Sequence, residues 1–460
     1  MSLDPVLARI DAQMPAAIDR LFDLLRIKSI STDPAFNADV DAAADWLVKD
    51  LQGLGIKAEK RPTTGHPMVV GHVDGPSEDS PHILFYGHYD VQPVDPLELW
   101  DRDPFDPALE DTDAGQVIRA RGASDDKGQL MTFVEACRAW IAEHGALPCK
   151  ITFLFEGEEE SGSPSLVPFL QENAEELSCD IALICDTGLF ESAVPAITTM
   201  LRGLLGEDFT ITGPSRDLHS GMYGGIAMNP IRVLNKILAG LHDDTGAVTL
   251  EGFYDDVPEL PDDIRAQWQG LNFDHATYLG DVGLKAPAGE QDRTPLEQIW
   301  SRPTCDVNGI WGGYTGDGFK TVLPSQASAK VSFRLVGQQD PDKIRAAFRS
   351  YLERNLPEGF TVEYRTEKGS GASQMSIEDP AFEKARAALS DEWPRPAAYV
   401  GCGGSIPIAG YFKEILDMDS MLIGFGRDDD QIHSPNEKYD VESFHKGTRS
   451  WARILEALTR

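Results

Sequence analysis

The sequence predicts an α/β protein, with a mixed sheet, into which a smaller α+β domain is inserted. Three observations carry this. Up to residue 202, short apolar strands alternate with helices long enough to cover a sheet on both faces. From Gly203 the texture changes to strands alternating with two helices, of ferredoxin-like type. After Gly369-Ser370-Gly371-Ala372 the α/β texture returns. We therefore expect one domain built from residues 1–202 and 373–460, interrupted by an inserted domain at 203–372.

Asp4-Pro5 opens a helical pattern with apolar residues at Val6, Ile10, Met14, Ile18, Leu21 and Leu25, Asp4 being the expected cap. A second helix spans 37–54 and stops at Gly55. Strands are expected at 56–61, 67–73, 82–87 and 116–120, then a helix at 127–144, a strand at 150–155, a helix near 164–173 and a strand at 180–185. In the inserted domain a strand at 206–213, a helix at 230–241, a strand at 327–336, a helix at 341–355 and a strand at 360–366 are separated by a long acidic stretch, 243–305, expected to be irregular. A helix at 380–390, a strand at 397–400, a helix near 406–416, a strand at 420–423 and a helix at 441–458 complete the chain.

The 460 residues exceed what one core holds, which is roughly 250–300. With 75 acidic against 41 basic side chains the formal charge is -34, which repels nucleic acid and anionic membranes, so neither is expected as a partner. The six cysteines show no C-x-x-C spacing and read as small buried hydrophobes in a reducing compartment. No apolar run approaches the ~20 residues of a membrane span. Residues Met1 to Arg9 show no basic flank followed by an apolar core. A cytoplasmic protein is the expectation.

The strand 82–87 runs into Gly87-His88-Tyr89-Asp90. Residues two apart on an extended chain share a side, so Asp90 can hold one nitrogen of the His88 imidazole while the other faces a cation; a surface ion pair is the commonplace alternative. Arg121-Gly122-Ala123-Ser124-Asp125-Asp126 sets two adjacent carboxylates before a helix, suited either to capping it or to a metal. Glu156-Gly157-Glu158-Glu159-Glu160 and Cys185-Asp186 each follow an apolar strand, and His433-Ser434-Pro435-Asn436-Glu437 follows three aspartates. Ligands of open α/β sheets sit beyond such strand ends. Two imidazoles and several carboxylates suit Zn²⁺, or Mn²⁺ and Co²⁺ as oxygens increase. Five ligands exceed what one tetrahedral ion with an open position uses, so two ions sharing a carboxylate, roughly 3.5–4 Å apart, is the economical arrangement.

The series GHYDVQP (87–93), RGASDDKG (121–128), EGEEESGS (156–163), CDTG (185–188), DLHSG (217–221), GGYTGDGFKTVLP (312–324), SFRLV (332–336), GGSIPI (403–408) and HSPNE (433–437) resembles the carnosinase-like branch of the dinuclear metallopeptidases. That superfamily includes dipeptidases, acetylornithine deacetylase, succinyl-diaminopimelate desuccinylase and glutamate carboxypeptidase. The motifs run in order along nearly the whole chain. The resemblance implies a metal-binding catalytic domain with an inserted lid that carries a homodimer contact. It also implies that His88, Asp125 and Asp186 hold one ion and Asp125, Glu160 and His433 the other, with a cis peptide after the bridging Asp125. Asp90 orients His88, Glu159 is the general base for a metal-bridging hydroxide, Glu158 is a bystander, and His219 stabilises the oxyanion in the partner subunit's site. Arg334 resembles the arginine that binds a substrate carboxylate, and Thr321 and Ser405 fall on further substrate contacts. For Arg334 a strand-surface ion pair is the commonplace alternative.

The implied activity is metal-dependent hydrolysis of an amide in a dipeptide or small peptide with a free carboxylate. One departure stands out: the family carries Arg-Glu before Gly-Gly-Ser, where this chain has Gly401-Cys402. The counter-charge for a free amine is thus missing, which raises deacylation of N-acyl amino acids as the alternative. A catalytically silent binding homologue is the remote third possibility; against it, every ligand position, Glu159 and His219 hold competent residues.

Overall fold

The computed structural model describes every residue except Glu367 and Ser405. Its chain divides into two units, one formed by Met1–Thr199, Met375–Val400 and Tyr411–Arg460, the other by Met200–Gln374 and Gly401–Gly410.

In the first unit a mixed sheet runs in the order Lys57–Arg61, Met68–Val73, Lys150–Glu156, His82–His88, Ile181–Ile184, Ser420–Leu422 and Ala196–Leu201. His82–His88 pairs in parallel with Lys150–Glu156 and Ile181–Ile184, while Met68–Val73 runs antiparallel to Lys150–Glu156. The central strands are buried on both faces, which is why they read as unbroken apolar runs. Leu3–Leu25, Lys127–His144 and Val441–Leu458 pack together on this sheet. There Phe85 stacks on Phe133 at 3.6 Å between ring centroids, and Trp451 meets both rings edge-on.

Two local expectations change. The first helix begins at Leu3, so Asp4 lies inside it rather than capping it; Pro5 still falls in the first turn, where a missing N–H leaves no intrahelical bond unmade. Ala196–Leu201 is a strand without the alternation that would reveal it, because nearly all of it is buried. Gly55 does end the second helix, Asn37–Gly53: at φ 82° it donates its N–H to the Gln52 carbonyl.

The second unit contains an antiparallel sheet in the order Thr304–Gly312, Gln326–Leu335, Gly203–Thr212, Thr361–Thr366. With Pro230–Ala239 after the first strand and Pro341–Asn355 after the third, the chain order is that of a ferredoxin-like fold. Leu205, Phe209 and Ile211 point from alternate positions of one strand into a core with Val233, Ile237 and Phe348. Both helices start on a side-chain cap followed by proline, Asn229-Pro230 and Asp340-Pro341.

The stretch 243–305, expected to be irregular, contains the helices Asp262–Gly270, His275–Gly280 and Pro295–Trp300. Buried apolar residues, among them Phe253, Ile264, Trp268, Leu296 and Trp300, anchor it, and charge pairs bind its segments to one another: Arg265 bonds buried Glu297, Arg293 grips Glu259 with two nitrogens, and Arg302 bonds Glu290. Thr294 and Glu297 cap the last of these helices reciprocally.

Candidate metal centre

His88 is the last residue of a sheet strand and stands opposite Glu156, the last residue of its parallel neighbour; Asp186 follows the next strand, Ile181–Ile184. Parallel strands that end in register deliver these side chains to one edge of the sheet. Asp125 comes from the turn before helix Lys127–His144, and His433 from the loop before strand Lys438–Asp440.

These residues converge in two groups, His88 with Asp125 and Asp186, and Asp125 with Glu160 and His433, the potential ligand atoms of each lying within 4.8 Å of one another. Asp125 is common to both. Its Oδ1 is 3.0 Å from His88 Nε2 and its Oδ2 2.9 Å from His433 Nε2, and the Asp125–Asp126 peptide is cis, as expected. Asp186 Oδ2 lies 3.9 Å from His88 Nε2, and Glu160 Oε2 3.3 Å from His433 Nε2. A third acidic group, Asp429, Asp430 and Asp440, already encloses a cation, the Lys438 ammonium at 2.9, 2.8 and 2.6 Å.

The fully buried His88 has Nδ1 3.1 Å from the Asp90 carbonyl and 3.4 Å from the Asp90 carboxylate, which leaves Nε2 directed at Asp125. The Asp90 carboxylate also accepts from the Ser31 hydroxyl at 2.6 Å and from the N–H groups of Glu159 and Glu160 at 3.2 and 3.0 Å. One carboxylate therefore fixes a histidine and the backbone of two glutamates together. No local pattern announces this, because Ser31 and Glu159 lie 59 and 69 residues away in sequence.

Asp126 does not cap the helix it precedes. Its carboxylate accepts from the His88 N–H at 3.1 Å and from the Cys185 thiol at 3.2 Å, and burial pushes it up to about 7. Glu158, expected to be a bystander, is buried and accepts from the backbone N–H of Ser165 and of His66, fastening a neighbouring loop.

Carboxylates dominate the electrostatics. Hydrogen bonds to Asp125 and Glu160 raise His433 to about 10. Burial alone would lower His88, but Asp125 and Asp90 raise it well above the usual imidazole range. Burial, reinforced by Asp125, pushes Asp186 well up. Burial also raises Glu159, and Glu160, Asp90 and Asp125 add to it. Glu160 Oε2 accepts from Gln92 at 2.6 Å, whereas its Oε1 is buried without a hydrogen-bond partner, a costly state that a coordinated cation relieves. Imidazole nitrogens with carboxylate oxygens form a donor set that fits divalent ions such as zinc or manganese.

Three further expected site residues lie in the second unit. Leu218–His219 pairs with Val322–Leu323, and the Ser220 N–H donates to the Thr321 carbonyl at 3.0 Å, so exposed His219 and Thr321 share one ribbon. The ring nitrogen Nδ1 of His219 accepts from the Gly221 N–H at 3.1 Å. Arg334 stands opposite Thr304 and Leu204, on the sheet face away from core residues Phe333 and Leu335. Ser405 lies outside the described residues.

Residues 84–457 match the model of peptidase family M20/M25/M40. The chain is 30% identical to the Cys-Gly metallodipeptidase of Schizosaccharomyces pombe over 100% of its own length and 98% of the relative's. It is 29% identical to the human Beta-Ala-His dipeptidase, over 98% of this chain and 92% of that one. Among solved structures, an M20 family metallo-carboxypeptidase from Sulfolobus solfataricus superimposes with a TM-score of 0.79 at 29% identity, covering 96% of this chain and 99% of the other. Human carnosine dipeptidase 1 superimposes with a TM-score of 0.78 at 26% identity, covering 99% and 98%.

Proposed function

The chain belongs to peptidase family M20/M25/M40, and from that membership we propose that it is a metal-dependent dipeptidase cleaving the amide bond of a dipeptide or small peptide with a free carboxylate. The observation that carries this reading is the sharing of Asp125 between two ligand groups, one oxygen toward each histidine. In this assignment His88, Asp125 and Asp186 hold one divalent ion and Asp125, Glu160 and His433 the other, with zinc the first choice and manganese or cobalt next. Such ions supply Lewis acidity to the amide carbonyl and lower the pKa of water.

Glu159 takes a proton from the attacking water and returns it to the leaving amine nitrogen. Asp90 supports both tasks, since the carboxylate that orients His88 also holds the backbone of Glu159 and Glu160. The Arg334 guanidinium binds the substrate carboxylate through its planar fork, with Thr321 and Ser405 as further contacts. The activities named for the dipeptidase relatives favour a dipeptide over an N-acyl amino acid.

His219 donates to the developing oxyanion in the site of a second copy of the chain. A homodimer through the second unit is supported by Thr304–Gly312, which stands at one end of its sheet with Ile310 and Trp311 exposed, and by exposed Met222 and Ile226. A cytoplasmic setting is supported by six free cysteines. Among the described residues no helix is long and apolar enough to cross a membrane.

The test is metal analysis of the purified protein together with a panel of dipeptides and their N-acetylated forms. We expect two ions per chain and preferential cleavage of the free dipeptides. Cleavage of the N-acetylated forms alone, or a metal-free protein active at full rate, overturns the reading.

A further inference from the structure

Glu437 lies four residues beyond His433, is 0% exposed, and has no part in the roles described above. Its Oε1 accepts from the N–H groups of Ser124 at 2.9 Å and Asp125 at 3.0 Å; its Oε2 accepts from the Gly122 N–H at 2.9 Å and the Arg121 guanidinium at 2.8 Å. Four donors occupy the roughly four acceptor positions of an ionised carboxylate. All four belong to residues 121–125, the turn that delivers Asp125. Arg121 is itself anchored, through the Pro93 carbonyl at 3.1 Å and the Trp100 ring at 5.3 Å.

A second clasp lies on the other side of His433. The Ser124 hydroxyl donates to Asp430 Oδ2 at 2.7 Å, and the same oxygen accepts from the Arg427 N–H at 2.8 Å. The turn carrying Asp125 and the segment carrying His433, some 300 residues apart, are thus joined both before and after the histidine.

We propose that Glu437 is a positioning residue of the metal centre, holding the backbone of Asp125 against the segment that bears His433 and so setting the spacing of the two ligand groups. The proposal rests on the dinuclear reading above. Its physical reason is that a carboxylate offering both oxygens to ligand groups cannot also be oriented through them. Orientation must come through its backbone, and Glu437 is the acceptor that the Asp125 N–H uses. Glutamine cannot replace it without cost, because its amide nitrogen would face two of the four donors.

Because Asp125 serves both groups, loosening it should weaken both ions together. The experiment is zinc titration in competition with a chromophoric chelator, on metal-stripped wild type, Glu437→Gln and Glu437→Asp, with kcat and KM measured at saturating zinc. We expect both variants to bind both ions about 10–100-fold more weakly, with kcat reduced and KM within a few-fold of wild type. The Asp variant keeps the charge but shortens the reach, so wild-type affinity in it would mean that charge alone matters and would overturn the proposal. Loss of thermal stability with unchanged ion affinity, or weakening of one ion only, overturns it too. Should neither variant fold, Asp430→Asn at the second clasp is judged by the same criteria. Wild type binding fewer than two ions would instead overturn the dinuclear reading itself.

Discussion

Trp300 occupies the space in which a side chain on Gly401 would begin: a Cβ built on Gly401 falls 2.4 Å from Trp300 Cβ and 2.8 Å from its Cγ. The glycine at 401 therefore has a packing cause, whereas nothing in the structure explains Cys402 at the neighbouring position. The helix that ends the acidic stretch 243–305 places its buried tryptophan there, with Trp268 packed edge-on at 4.9 Å. Gly401→Ala should lower stability by about 1–3 kcal/mol, the usual cost of overpacking, because the obstructing atom is next to the backbone and cannot swing aside. Urea melts of Gly401→Ala, Trp300→Ala and the double variant check this. The two effects should be non-additive, the second substitution relieving part of the clash.

Glu159 and Glu160 are adjacent, yet their substitutions should separate cleanly. Glu159→Gln should keep its metal and lose turnover by ~10²–10⁴, the range for a general acid–base group. Glu160→Gln should lose one ion, since Glu160 has a buried oxygen without a partner and the other near His433. Metal content by mass spectrometry beside kcat decides. Normal turnover in the Glu159 variant would refute its assignment as base.

For His219 the check is complementation. Mixed with Glu159→Gln protein under conditions of demonstrated subunit exchange, His219→Ala protein should regain part of the activity, because some mixed dimers contain one intact composite site. Sedimentation should show a dimer, with an interface above about 1,000 Å². A fully active monomer would rule out a role across subunits.

Glu176 offers a pH test away from the metal centre. Two nitrogens of Arg61 bond its carboxylate at 2.6 Å, and together with His72 they lower it to about 2. A depressed carboxylate stabilises the fold fully above its unfolded value of ~4.3 and loses that contribution as pH falls through the folded value. Glu176→Gln should therefore be less stable than wild type at neutral pH, by about 1 kcal/mol after allowing for solvent screening at this partly exposed site. The gap should close between pH ~4.5 and ~2. Chelator-treated protein is the material to use, so that metal loss in acid does not enter the difference.

Much of the frame was legible in the chain alone. The helix Lys127–His144 falls where its pattern placed it, and His88, Glu156 and Asp186 come at the ends of apolar runs that form adjacent strands. The helices of 243–305 were not legible, because each is only six to nine residues long, so that an apolar spacing such as Ile264 to Trp268 is too short to stand out from the acidic residues around it. Asp126 was open to misreading for another reason: a carboxylate before a helix has the form of a cap whether its partner is the helix or a distant N–H.

The sequence by itself determined the strands, the helices and the chemical inventory at their ends, since periodicity and residue type act over a few neighbouring positions. Only the tertiary structure decided which of those ends meet. Glu437 beneath Asp125, Asp90 between His88 and the two glutamates, and Trp300 against Gly401 are contacts at distances of a few ångströms between residues remote in sequence. Such contacts depend on how the elements pack, and packing is a property of the whole chain rather than of any segment.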